Sequence, residues 1–110
     1  MELERTVKRS QIYLNTFDDE FMMSVFGTLR PTSQERTKYF LDCWLNWKDN
    51  SIRFKPVRAR ATAIEIRRFC NGMGMKDLRD FQVKNHEIRF KSKEDLAMAK
   101  LNGIEVILNV

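Results

Sequence analysis

The spacing of apolar positions changes character near residue 50. Before it they recur at helical intervals; after it helical spacing alternates with runs in which every second residue is apolar. Four helix starts share one signature, a Ser or Thr followed three residues later by an acid, so that side chains and backbone N–H groups satisfy each other across the first turn. Thr16 and Asp19 open a helix through Phe26, with Phe17, Phe21, Met22 and Val25 on one side and Gly27 as its stop. Thr32 and Glu35, directly after Pro31, open a longer helix to about Lys48, with Phe40, Leu41, Trp44, Leu45 and Trp47 as its stripe. Thr62 and Glu65 open a third, carrying Ile66, Phe69, Cys70 and Met73 and ending at Gly72 and Gly74. Ser92 and Asp95 open a fourth, with Leu96, Ala99 and Leu101 apolar and Gly103 at its end.

Residues 52–57, 81–84, 87–91 and 104–110 alternate with period two and read as half-buried strands. Asn85 and His86 join the second to the third, and Asn tolerates the positive φ of a two-residue hairpin turn. From residue 51 onward the order is strand, helix, strand, strand, helix, strand. This predicts an α+β fold, a ferredoxin-like βαββαβ domain over 51–110 with two helices on one face of a four-stranded antiparallel sheet. Residues 1–50, a possible strand at 11–14 and two helices, are expected to pack onto it as an extension. So aromatic a piece would not stay soluble alone, and 1–110 reads as a single domain.

If the helices cover the side of Ile52, Phe54, Val83, Ile88 and Phe90, alternation sends Arg53, Lys55, Glu87, Arg89 and Lys91 to the other side, on the two central strands. That element order, and that sheet face, resemble those with which RNA-recognition motifs stack single-stranded bases. The resemblance stops at element order. No Arg/Lys-Gly-Phe signature is present, and the face holds cations with Ile107 as its main apolar member. Such a surface grips phosphates and lacks platforms for bases.

Composition sets the outer bounds. At 110 residues and 43% apolar content the chain can bury a core without disulfides or a structural metal. No apolar run approaches the roughly 20 residues that span a bilayer. The charged start (Glu2, Glu4, Arg5) differs from a signal peptide, so a cytoplasmic protein with no membrane partner is expected. Cys43 and Cys70 lie within apolar helical patterns and read as buried thiols. With His86 as the single histidine and no CxxC pair, neither a metal site nor a cofactor is expected.

The net charge of +5 is local. Within residues 51–68, Arg53, Lys55, Arg58, Arg60, Arg67 and Arg68 face one acid, Glu65, while the flanking stretches together balance. Arg58 and Arg60 precede the predicted start of the third helix, where unpaired amides and the helix dipole attract anions, and the Arg fork binds phosphate at two points. Acids from the first two helices (Asp18, Asp19, Glu20, Glu35) offer an alternative, internal neutralisation of this face.

Other features read blandly. His86 sits in a turn, Asp18, Asp19 and Glu20 suit a helix N-terminus, and Gly72 and Gly74 lack the spacing of a phosphate loop. No catalytic constellation is present. The leading expectation is a non-enzymatic nucleic-acid-binding protein that contacts structured RNA or duplex DNA through Arg53, Lys55, Arg58, Arg60, Arg67, Arg68, Arg89 and Lys91. The alternative is a protein-interaction module, an inhibitor or adapter docking through Phe40, Trp44 and Trp47, and a homodimer is compatible with either.

Overall fold

A computed structural model describes residues 17–55 and 59–108, the side chains of 59–61 excepted. The predicted strand at 11–14 and Arg58 lie outside the described residues. The protein is α+β, with helices and a small three-stranded antiparallel sheet. It divides into two compact units, Met1–Cys43 and Trp44–Val110.

In the first unit, α1 (Asp19–Phe26) is capped by Asp18 and not by the expected pair Thr16 and Asp19, Thr16 lying outside the described residues: the Asp18 carboxylate, one turn ahead, accepts from the Phe21 N–H at 2.7 Å, and the helix ends at Gly27 in the left-handed conformation (φ 69°). The longer α2 (Ser33–Asn46) starts with the predicted reciprocal box: Thr32 Oγ1 accepts from Glu35 N–H, and Glu35 Oε1 accepts from Thr32 N–H, both at 3.2 Å. Aromatic rings hold the unit together. Phe26 meets Tyr39 edge-on at 5.3 Å, Phe17 lies 6.1 Å from Phe40, and Phe40 is fully buried. The division falls inside α2, so residues 44–46 belong to the second unit.

That unit runs β1 (Ser51–Arg53), α3 (Ala59–Gly72), β2 (Phe81–Lys84), β3 (Glu87–Phe90), α4 (Lys93–Leu101) and α5 (Ile104–Leu108). The sheet order is β1-β3-β2. β2 and β3 form a hairpin over the predicted Asn85–His86 turn, both residues at positive φ (47° and 64°). Ile52, Phe54, Ile66, Cys70, Met75, Phe81, Ile88, Phe90, Ala99, Ile104 and Leu108 make one core, so the alternation of apolar residues along β1 and β3 is as expected.

Three elements differ from the sequence reading. Residues 104–108 of the fourth strand expected at 104–110 are not extended, and 109–110 lie outside the described residues. Ile104–Leu108 is a helix, because Ile104 and Leu108, four apart, both reach the core, while Val106, which a strand would have turned the same way, is 83% exposed. So short an apolar run fits either period, and burial decides. In consequence β1 lies at the edge of the described sheet rather than at its centre, and Ile107 lies in α5 rather than on the sheet. Helix α3 begins at Ala59, not Thr62, since 59–61 (Ala-Arg-Ala) are strong helix formers that carry the helix upstream of the capping pair. Arg60 therefore stands in the first turn of α3 and not in a loop before it.

Between α3 and β2, Leu78 adopts φ 71° and is fully buried. Its N–H donates to Phe81 O at 2.8 Å, and Asp80 Oδ2 accepts from Lys76 N–H at 2.9 Å. Left-handed backbone at a bulky residue costs about 1–3 kcal/mol, and burying a leucine returns a similar amount. Leu78→Ala should lose about 2–5 kcal/mol in urea unfolding. Leu78→Gly, free of the backbone strain that alanine keeps, should be at least as stable as Leu78→Ala, reversing the usual order of these residues. A clearly more stable alanine variant would remove the strain from the account.

Candidate nucleic-acid interface

The sheet face opposite the core is built in two cross-strand rows. Pairing places Arg53 beside Glu87 and Glu87 beside Lys84, while Ser51 and Gln82 flank Arg89. Glu87 is the one acid among these positions, and two guanidiniums reach it: Arg89 Nε donates to Oε2 at 2.7 Å, and Arg53 Nε lies 3.7 Å from Oε1. Trp44, on the last turn of α2, covers the same cluster. The Arg89 guanidinium stacks 4.0 Å from its ring, Lys84 Nζ stands 5.4 Å away, and Arg89 Nη1 also donates to Trp44 O. Desolvated stacking of this kind contributes about 2 kcal/mol.

The face is therefore no open platform. Gln82, Lys84 and Glu87 are buried, and the Arg89 side chain keeps 14% of its exposure. Arg53 is the exception at 84%, and so exposed a pair with Glu87 contributes at most about 1 kcal/mol. Its guanidinium stays accessible to solvent.

Arg67 has a different fate. From α3 its Nε donates to Asp77 Oδ2 at 3.0 Å, and Asp77 is almost wholly buried. The pair ties α3 to the turn that carries Leu78. Lys55, Arg68 and Lys91 are exposed. Of the eight cations expected to grip phosphate, Arg53, Lys55, Arg68 and Lys91 are thus presented to solvent, and Arg67 and Arg89 are committed to internal carboxylates. Arg58 lies outside the described residues, as does the Arg60 side chain.

The aromatic candidates do not form a ridge. Phe40 and Trp47 are buried, and the half-buried Trp44 is occupied by Arg89. The sequence does not announce Trp44 as a cover for cations, because no local signal links residues 40 or more positions apart; Lys84 is open to reading, since the predicted Asn85–His86 turn sets it opposite Glu87. Nor does the sequence announce Asp77 as the partner of Arg67. His86 packs edge-on against Phe54 with ring centroids 6.0 Å apart. Among the described residues no group of three or more His, Cys, Asp or Glu is placed to hold a metal ion, and no helix is long and apolar enough to cross a membrane.

Burial dominates the two perturbed acids. It pushes the Cys70 thiol up to about 12, with the charges of Asp77 and Asp95 adding to the effect. It also raises Tyr39 well above the usual phenol range, helped by a hydrogen bond with Cys43. Native Cys70 keeps its proton where an unfolded thiol, ionising near 8.5, has lost it, so the native state binds more protons there. Stability should accordingly be at full value below about pH 8.5 and fall as pH rises from there towards 12. In Cys70→Ala the urea midpoint should fall less over that window, and an unchanged fall would discount the thiol.

Arg67→Gln should lower stability by about 1.5–3 kcal/mol, the worth of a charged hydrogen bond, while leaving any nucleic-acid affinity unchanged. A loss of affinity with intact stability would reverse that assignment. Compared with protein-family models, curated proteins and solved structures, the chain matches none of them.

Proposed function

We propose that the protein is a small non-enzymatic, cytoplasmic nucleic-acid-binding protein that holds phosphates through Arg53, Lys55, Arg68 and Lys91, with Arg58 and Arg60 joining them on the strength of the sequence. The observation that carries the reading is the confinement of the whole +5 charge to residues 51–68, with Arg53, Lys55 and Arg68 exposed there. Arg67 and Arg89 drop out as contacts and become supports. The element order β1-α3-β2-β3-α4 and the sheet order β1-β3-β2 support a ferredoxin-like arrangement, with three of its four strands among the described residues. An inhibitor or adapter acting through Phe40, Trp44 and Trp47 has less behind it, since those rings are buried or stacked.

Affinity of this kind comes from counterion release, so it is steep in salt and modest in sequence preference. Structured RNA or duplex DNA fits better than a single strand, because among the described residues the one ring on this face, Trp44, is taken by Arg89. Labelled duplex DNA, structured RNA and single-stranded DNA titrated across a salt series provide the test. The combined reversal Arg53→Glu, Lys55→Glu and Arg68→Glu should flatten the log–log salt slope by about three for a duplex and weaken binding at every salt concentration. Absence of binding to all three at low salt sinks the proposal.

A further inference from the structure

Among the described residues no fourth strand pairs with β1, whose outer flank is free of backbone partners there. Phe54 N–H donates to His86 O and Phe90 N–H to Asn50 O, both at 2.9 Å, so residues 50, 52 and 54 are those that bond towards β3. Ser51, Arg53 and Lys55 accordingly turn their N–H and C=O groups the other way, and among the described residues these groups have no backbone partner. The C-terminal segment that could have lain there is held in α5 by the burial of Ile104 and Leu108.

Side chains along this flank say what fits it. Arg53 and Lys55 are exposed and share one side; Ile52 and Phe54 on the other side belong to the core. A second copy of β1 added antiparallel here brings Arg53 and Lys55 against their own counterparts, and like charges facing across strands are destabilising. A strand whose acids alternate with apolar residues meets both sides at once, acids on Arg53 and Lys55 and apolar residues along the border of the core. We propose that the outer edge of β1 binds an extended acidic peptide segment of this alternating kind by strand addition.

The proposal stands independently of nucleic-acid binding, although both use Arg53. A phosphate reads the charge of Arg53 alone, whereas an added strand reads its N–H as well. Arg53→Gln removes the charge and keeps the N–H; Arg53→Pro removes both while sparing the bonds to β3, which residue 53 does not make. A labelled peptide alternating glutamate with valine should bind the wild-type protein, and its lysine–valine counterpart should not. Affinity should be about tenfold lower in Arg53→Pro than in Arg53→Gln, the effect of one lost backbone hydrogen bond. Hydrogen exchange followed by NMR on the wild-type protein should show the amides of Ser51, Arg53 and Lys55 becoming protected on peptide binding, which decides the matter even if Arg53→Pro does not fold. Equal losses in the two variants, protection elsewhere, equal binding of the lysine–valine peptide, or no binding would each overturn strand addition. So would peptide-independent dimerisation through these same amides, which would make a second copy the occupant.

Discussion

Strand β3 is the element on which the second unit depends, because its four residues serve both faces of the sheet and its backbone serves both flanks. Ile88 and Phe90 enter the core, and Glu87 and Arg89 occupy the opposite face. Both flanks are paired, to β1 and to β2. A slip of one residue would exchange the faces and drive a carboxylate and a guanidinium into the apolar core, at a cost of several kcal/mol for each ion. The register is set locally: two residues in the left-handed region, Asn85 and His86, close the hairpin with Lys84 opposite Glu87. The core side and the charged face of the hairpin both follow from that turn.

The fate of the arginines shows how far charge along a sequence can differ from charge on a surface. Residues 51–68 hold the entire excess, yet Asp77, nine positions past their end, comes back to take Arg67. Glu87 works likewise, gripping Arg89 closely and Arg53 loosely. Neutralisation comes from within the sheet unit, by single acids placed deep enough that desolvation makes removal of either partner expensive. The remaining cations lie where solvent screens them and where a polyanion can displace their counterions.

What could be read in advance was what is local. The box at Thr32 and Glu35 and the cap of Asp95 N–H on Ser92 Oγ involve residues three apart, and both form. So does the hairpin turn. The pair Thr62 and Glu65 has the same spelling but is bypassed, since nothing upstream opposes a longer helix until Pro56. Residues 104–108 are ambiguous by themselves, and only the core next to them selects the helix. For the site, exposure of Arg53 and Lys55 follows from alternation, whereas the carboxylate under Arg67 and the indole over Arg89 are long-range partners that no spacing announces.

Each compact unit also encloses one free thiol, Cys43 in the first and Cys70 in the second. Reaction of a shielded thiol with a reagent requires the structure around it to open. The two cysteines are therefore separate clocks: under native conditions the labelling rate of each times the opening of the structure around that residue.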